Sequence, residues 1–185
     1  MRVITGSARG VRLKTPEGQD TRPTAERVKE AAFSMIQFEI EGRRVLDLFA
    51  GTGQLGIEAL SRGAKSAVFV EQRKEAMSLV RENLKRTRLE SRAETIQGDA
   101  VSFLSRCAPR SFDLILLDPP YAANSLKSVI NCISEIDILS EGGIILCERP
   151  SEGPHPGNFP GLETGKDHRY GKTILTLYRR MGGAL

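Results

Sequence analysis

The fold is decided by residues 45–56, which read VLDLFAGTGQLG. The apolar run at 45–49 predicts a buried strand, and the glycines after it let the chain turn sharply into a helix at 55–61. Glycine is favoured in such a turn because backbone N–H groups can approach a ligand with no Cβ in the way. Residues 51–56 complete the pattern G-x-G-x-x-G, which on its own is only a weak sign of a nucleotide site.

Alternating strands and helices follow this stretch. Strands are predicted at 67–71, 93–97, 112–117 and 143–147, and helices at 76–84, 101–106 and 126–133. Such an alternation builds a doubly wound, mostly parallel α/β sheet. The run at 112–117 is almost continuously apolar, as expected for a strand buried on both faces.

The C-terminal part departs from the alternation. Residues 162–169 and 173–179 flank a short turn, and strands joined so tightly must be antiparallel. They bring the predicted sheet to seven strands. The Pro- and Gly-rich loop at 151–161 that precedes them is either a lid or a linker.

The N-terminal part also lies outside the alternation. Residues 1–15 predict a β-hairpin, and Thr24 predicts the N-cap of a helix at 25–38. We therefore expect one structural domain in which an N-terminal unit, 1–42, packs on a core, 43–185.

The charge of the chain favours a polyanionic partner. The 185 residues carry a net charge of +4, and the first sixteen contain four basic side chains and no acid: Arg2, Arg9, Arg12 and Lys14. Such an arm can neutralise nucleic-acid phosphates and release their counterions. A solvated basic face is an equally good interpretation of charge alone.

The three cysteines, Cys107, Cys132 and Cys147, are widely spaced and include no C-x-x-C pair. They predict reduced, buried thiols, with neither a disulfide framework nor a metal site. No apolar run is long enough to cross a bilayer and no leader-like segment opens the chain, so we expect a cytoplasmic protein without a membrane partner.

Glu71 ends the predicted second strand, where a carboxylate could accept both hydroxyl groups of a ribose. A nicotinamide-dependent oxidoreductase would place an acid there as well. A helix-capping turn that binds no ligand is the structural alternative.

The tetrapeptide Asp118-Pro119-Pro120-Tyr121 directly follows the buried strand at 112–117. An aromatic amine is a poor nucleophile because its lone pair is delocalised into the ring. Asp118 and the Pro119 carbonyl could accept its two N–H groups and favour pyramidal nitrogen. The prolines would stiffen the loop, and Tyr121 would stack on an extruded base. The structural alternative is a rigid turn in which Tyr121 packs into the hydrophobic core.

The sequence of residues 47–53, Asp-Leu-Phe-Ala-Gly-Thr-Gly, resembles motif I of S-adenosylmethionine-dependent methyltransferases. Gly98-Asp99-Ala100 resembles the segment that brackets adenine in that family. The resemblance implies a Rossmann-like class I methyltransferase fold that uses S-adenosyl-L-methionine, yields S-adenosyl-L-homocysteine and needs no metal. The residues it implies for the cofactor are Asp47, Phe49, Ala50, Gly51, Thr52, Gly53, Glu71, Asp99 and Ala100.

Together with the tetrapeptide, this motif resembles the methyltransferases that act on exocyclic amines. The opening Arg2-Val3-Ile4-Thr5-Gly6, the segment 21–30 and Tyr170-Gly171 resemble one branch over nearly the whole chain, the bacterial 16S rRNA guanine-N2 methyltransferase family called RsmD. This implies methyl transfer to a guanine N2 in the small ribosomal subunit or an assembly intermediate. It also places the basic hairpin on RNA, with Arg22, Thr24 and Arg27 bordering the mouth of the site.

Three other functions remain open. A DNA adenine-N6 methyltransferase shares Asp-Pro-Pro-Tyr, but so short a chain has no room for a separate target-recognition domain. A glutamine-amide methyltransferase would resemble Asn-Pro-Pro-Tyr instead. An RNA chaperone that has kept the fold would not need the intact acids and glycines of the motifs.

Overall fold

Eight strands form one mixed sheet in the computed structural model, which describes residues 1–16, 23–119 and 125–182. The strands are β1 (Arg44–Asp47), β2 (Ser66–Glu71), β3 (Ala93–Gln97), β4 (Phe112–Leu117), β5 (Leu139–Pro150), β6 (Leu162–Thr164), β7 (His168–Tyr170) and β8 (Thr173–Arg180). The helices are α1 (Pro23–Met35), α2 (Gln54–Ser61), α3 (Lys74–Thr87), α4 (Ala100–Leu104) and α5 (Ser125–Ile136). A short 3-10 turn, Glu90–Arg92, precedes β3.

The strand order is β3-β2-β1-β4-β5-β8-β6, with β7 also paired to β8. Strands β1 to β5 run parallel to their neighbours, and β8 runs antiparallel to β5. The predicted doubly wound α/β class is therefore confirmed. The chain proceeds outward from β1 to β3 and then returns to β4 on the other side of β1. The switch point of the sheet lies between β1 and β4, where open α/β sheets bind ligands.

The predicted number of strands was wrong by one, because the expected strand at 162–169 is interrupted. β6 and β7 pair with opposite ends of β8 and share the outermost position of the sheet. Between them, the Gly165 N–H donates to the Leu177 carbonyl at 2.8 Å. The Asp167 carboxylate accepts a hydrogen bond from Thr176 Oγ1 at 2.6 Å and also binds Arg149. One backbone hydrogen bond and these side-chain contacts take the place of regular strand pairing with β8 at residues 165–167.

Two hydrophobic layers cover the sheet. Its first face packs against the N-terminal arm, α1, α2 and α3, and its second face packs against α4 and α5. Strand β4 shows the alternation, since Leu114 and Leu116 face the first layer and Ile115 and Leu117 face the second. All four are fully buried, as the apolar run predicted.

The N-terminal arm, residues 1–16, is less regular than the predicted hairpin, since its one bridge pairs Arg2 with Arg12. Its backbone also bonds to α2: the Ile4 and Thr5 N–H groups donate to Glu58 at 2.8 and 3.0 Å, and Ala8 N–H donates to Ser61 Oγ at 2.9 Å. Gly6 lies so close to α2 that a Cβ there would sit 1.8 Å from the Ser61 carbonyl oxygen. Docking on α2 therefore adds to a short antiparallel pairing within the arm, in which Val3 N–H donates to the Val11 carbonyl at 3.0 Å and Leu13 N–H donates to the Met1 carbonyl at 2.9 Å.

A buried ion pair holds α1 against the same helix. The Lys29 and Glu58 side chains are 2% and 0% exposed, with 3.5 Å between Lys29 Nζ and Glu58 Oε2. Lys29 Nζ also donates to the Arg2 carbonyl at 2.7 Å, and Arg62 Nε lies 2.8 Å from Glu58 Oε1. Burial lowers the pKa of Lys29, and Glu58 opposes that shift. Glu58 thus links the arm, α1 and α2.

Helix α1 begins at Pro23, so the prediction of Thr24 as its N-cap was wrong. Proline fits the first helical position, where its missing N–H would have no helical partner. The helix ends at Met35 and not at 38, because residues 36–39 form a turn closed by a hydrogen bond from Glu39 N–H to the Ile36 carbonyl.

The loop at 151–161 is anchored to the sheet. Arg149, 5% exposed, binds Asp167 and the Gly153 carbonyl. Phe159 packs edge-on against Tyr178 with 5.8 Å between ring centroids. The loop is thus a packed connection on the second face of the sheet.

Cys147 is buried, whereas Cys107 and Cys132, also predicted to be buried, are only partly so. In the described part of the chain, no helix combines the length and apolar character that a membrane span requires. The proposed division at residues 42 and 43 stays a prediction.

Candidate active site

A cleft of about 640 Å³ opens at the carboxyl ends of β1 and β4, at the switch point of the sheet. Every residue predicted for the cofactor lines it except Gly53, together with the predicted catalytic Asp118 and Pro119. Gly53 faces inward instead, because a Cβ there would lie 3.2 to 3.5 Å from Ile57, Val80 and Phe69. Pro120 and Tyr121 lie outside the described residues. The fold thus brings both predicted groups to one place.

The glycine loop is held by two carboxylates. The Gly51 N–H donates to Glu71 Oε2 and the Gly56 N–H donates to Asp47 Oδ2, each at 2.9 Å. Gly51 has φ +55, which favours glycine. Gly56 leaves room for a ring, since a Cβ there would lie 2.3 Å from Phe69 Cε1. The loop geometry therefore depends on the same acids that line the cleft.

Glu71 lies in the cleft, where a carboxylate that binds the ribose of a nucleoside was predicted. Its second oxygen, Oε1, accepts the Arg73 N–H at 2.9 Å. The exposed Arg73 side chain also donates to Oε1, with 3.3 Å from its Nε. Each carboxylate oxygen has two lone pairs, so Oε2 can still accept one ribose hydroxyl group, and a second hydroxyl group at Oε1 would displace the Arg73 side chain.

Asp47 lies at the floor of the cleft with 1% of its surface exposed. Burial raises its pKa to about 7, the Gly56 N–H opposes this, and the negative charges of Asp118 and Glu71 add to it. A cationic group that entered the cleft would favour the ionised form.

Asp99 also serves as the N-cap of α4, a role that we did not predict. Its Oδ2 accepts the Ser102 N–H at 2.9 Å, and hydrogen bonds from Ser102 are the largest cause of its lowered pKa. Asp99 therefore stays ionised at neutral pH, and together with Ala100 it lines the side of the cleft nearest β3.

Asp118 follows β4 directly and lies at the mouth of the cleft. Burial raises the pKa of its carboxyl group. The next residue, Pro119, is buried and also lines the cleft. A carboxylate and a backbone carbonyl are thus presented side by side next to the glycine loop.

The structure reveals three polar residues of the site that the sequence analysis missed. Gln54 lines the cleft, and its buried Oε1 has no hydrogen-bond partner among the described residues. Glu148 lies beside Asp118 on β5, and burial followed by the charge of Asp118 raises its pKa. Asn83 donates to the carbonyls of Thr52 at 2.9 Å and Lys14 at 3.0 Å. Asn83 thereby ties the N-terminal arm to the glycine loop.

The four basic side chains of the arm are exposed, but two of them have acidic neighbours. Helix α1 brings Glu26 within 3.5 Å of Arg2, and α3 places Glu82 against Lys14. Neither Arg9 nor Arg12 forms an ion pair with a residue in the described ranges. The absence of acids along residues 1–16 therefore does not carry over to the folded surface.

Of the remaining predicted RNA residues, Thr24 and Arg27 belong to α1. Arg27 is exposed on that helix. Arg22 and the side chain of Thr24 lie outside the description.

Comparisons with known proteins agree with this geometry. Residues 1–179 match the model of a family described as Conserved hypothetical protein 95. YlbH of Bacillus subtilis is 41% identical over 98% of this chain and 100% of its own length. Ribosomal RNA small subunit methyltransferase D of Haemophilus influenzae is 35% identical over 83% of this chain and 81% of its own.

Solved structures show the same fold. The Escherichia coli protein yhhF is 29% identical and superposes with a TM-score of 0.86, covering 97% of both chains. HI0767 of Haemophilus influenzae is 31% identical and superposes with a TM-score of 0.81 over 98% of both chains. The chain therefore belongs to the Conserved hypothetical protein 95 family and, as its motifs predicted, is a member of the RsmD type.

Proposed function

We propose that this protein methylates the exocyclic N2 of a guanine in 16S ribosomal RNA, using S-adenosyl-L-methionine, in the cytoplasm. The observation that carries the proposal is that Asp118 and Pro119 border the same cleft as the glycine loop and Glu71. A methyl donor and an amine acceptor could therefore meet at the switch point of the sheet. The name of the Haemophilus influenzae relative, a ribosomal RNA small subunit methyltransferase, supports small-subunit rRNA over DNA as the substrate.

The polar groups of the cleft fit S-adenosyl-L-methionine. Glu71 would accept the ribose hydroxyl groups, Asp99 and Ala100 would border the adenine, and Asp47 with the unpartnered Gln54 Oε1 would face the cationic amino group. A volume of about 640 Å³ lies within the range of cofactor clefts. When bound, the sulfonium supplies an electrophilic methyl group, so the protein needs mainly to position the acceptor.

Asp118 and Pro119 would prepare the acceptor nitrogen. The Asp118 carboxylate accepts one N–H of the amine and the Pro119 carbonyl accepts the other, which concentrates the lone pair on nitrogen. The methylated amine must then lose a proton. Asp118 can accept that proton, since its raised pKa lies nearer to neutrality than that of an exposed aspartate.

A direct assay tests the proposal. Purified protein is incubated with labelled S-adenosyl-L-methionine and small-subunit particles, and the digested rRNA is resolved into nucleosides. We expect the label in N2-methylguanosine. Label in N6-methyladenosine would favour the adenine alternative, and particles that stay unlabelled would support the chaperone alternative.

Cofactor binding provides a second test. Titration calorimetry should show binding of S-adenosyl-L-homocysteine and none of NAD. Glu71→Gln should weaken that binding by about 10-fold to 100-fold, because hydrogen bonds to a charged group contribute about 1.5–3 kcal/mol. Glu75→Gln, an exposed change on α3, is the matched control and should have no effect. Clear NAD binding, with no heat from S-adenosyl-L-methionine or S-adenosyl-L-homocysteine, would overturn the assignment of the cleft to this cofactor.

RNA binding by the arm predicts a steep dependence on salt. Replacing Arg9 and Arg12 by glutamine should weaken binding to small-subunit rRNA and flatten the slope of log affinity against log salt by about 0.7–0.9 per lost phosphate contact. Lys65→Gln, just before β2, removes one exposed positive charge at the opposite end of the parallel strands and serves as the control for each single arginine change. An unchanged slope in the arginine variants would show that the arm does not contact RNA.

A further inference from the structure

The carboxyl group of Glu148 lies next to the proposed acceptor site, on the neighbouring strand. Leu117 of β4 pairs with Cys147 of β5, so the residues that follow them, Asp118 and Glu148, are also adjacent. Neighbouring strands lie about 4.8 Å apart. Leu116 and Leu146 both belong to the layer on the first face of the sheet. Because side chains alternate along a strand, Asp118 and Glu148 also project to that face.

The structure provides no protein partner for this pair in its described residues. Neither carboxyl group forms a hydrogen bond or ion pair there. The nearest basic residue in sequence, Arg149, projects to the other face and is bound to Asp167. Leu175, which pairs with Glu148 from β8, is apolar. Both side chains keep partial exposure to solvent, so their carboxyl oxygens are accessible to a ligand that carries hydrogen-bond donors.

Burial raises the pKa of Asp118, and burial followed by the charge of Asp118 raises the pKa of Glu148. Two adjacent carboxyl groups disfavour double ionisation, so the pair can share one proton. In that state Asp118 can accept the N–H of an amine, and the carbonyl oxygen of Glu148 is still free to accept a second donor. The pair thus presents two adjacent acceptors.

We infer that Glu148 is a substrate-recognition residue that accepts the N1–H of the target guanine while Asp118 holds the neighbouring 2-amino group. The inference rests on the proposed function and names a determinant of its base specificity. Guanine carries two donors side by side, at N1 and at the 2-amino group. Adenine has an acceptor at N1, next to its 6-amino group. Two adjacent carboxyl oxygens can therefore accept both donors of guanine, whereas with adenine one of them would face the N1 acceptor.

The test uses a base that keeps the amine and loses the N1 donor. Small-subunit particles are reconstituted with rRNA that carries either guanosine or 2-aminopurine at the mapped target position, and single-turnover rates are compared. The wild-type protein should methylate guanosine faster by about 10-fold to 100-fold, as expected for one hydrogen bond to a carboxyl group.

Glu148→Gln should reduce that preference to less than about threefold, since an amide can accept from guanine or donate to the N1 acceptor of 2-aminopurine. Glu163→Gln, an exposed change on β6, should leave the preference intact. The thermal midpoints of both variants should be no lower than that of the wild type, and their S-adenosyl-L-homocysteine binding should match it.

The outcomes separate this inference from the proposed function. If wild-type protein methylates guanosine and Glu148→Gln keeps the full preference, or slows both bases equally, Glu148 does not read N1. If wild-type protein does not methylate guanosine at all, the proposed function itself is wrong.

Discussion

Asp118→Ala is expected to lower the rate of methyl transfer by about a hundredfold to a thousandfold, the usual cost of removing a preorganised polar contact to a reacting group. S-adenosyl-L-homocysteine binding should change little, because Gly51, Glu71 and Asp99 remain in place. Single-turnover assays on small-subunit particles measure the rate without interference from product release. Asp118→Asn keeps one acceptor oxygen and should retain more activity than the alanine variant.

The loss of activity should not be accompanied by a loss of stability. Burial raises the pKa of Asp118, and that of Asp47 to about 7. The folded protein therefore holds protons that the unfolded chain has released, and its stability falls as pH rises from the usual carboxyl range toward 7. Asp118→Ala removes one such group and should be at least as stable as the wild type at pH 8 by circular dichroism. A variant that is well folded and fully active would show that the tetrapeptide is only a structural turn.

Glu58→Ala is expected to have the largest effect on stability, a loss of about 3–5 kcal/mol of unfolding free energy. The change leaves Lys29 buried without its counter-charge and removes the acceptor of the Ile4 and Thr5 N–H groups. Denaturant unfolding measures the effect.

Two further variants define the origin of that loss. Glu26→Ala breaks the exposed pair with Arg2 and should cost no more than about 1 kcal/mol. Adding Lys29→Met to Glu58→Ala should recover part of the lost stability, because no buried charge remains. Equal losses from Glu26→Ala and Glu58→Ala would contradict the role assigned to the buried pair.

The cleft was predictable because its determinants are local in sequence. The strand, turn and helix at 45–56 specify the glycine loop, and an apolar strand aims Asp118 at its carboxyl end. Parallel strands align their carboxyl ends, so Asp47, Glu71 and Asp118 had to share one edge of the sheet.

The missed residues depend on register and on contacts between distant segments. Glu148 is one acid inside the run Cys-Glu-Arg-Pro, and only its alignment with Asp118 across β4 and β5 gives it significance. Lys29 and Asn83 are polar residues on helices, and polar residues are usually expected on the solvent-exposed face. Tertiary contacts bury both of them. Likewise, Glu26 and Glu82 reach the basic arm only through folding.

The central claim, methylation of a guanine N2 in small-subunit rRNA by the site at Asp118, is tested most directly in cells. Methylated nucleosides of 16S rRNA are mapped in cells with the protein, in cells without it, and in deleted cells that express wild-type or Asp118→Ala protein. We predict that one N2-methylguanosine disappears on deletion, returns with the wild type and does not return with Asp118→Ala. An unchanged map, or the loss of a methyladenosine instead, would contradict the account.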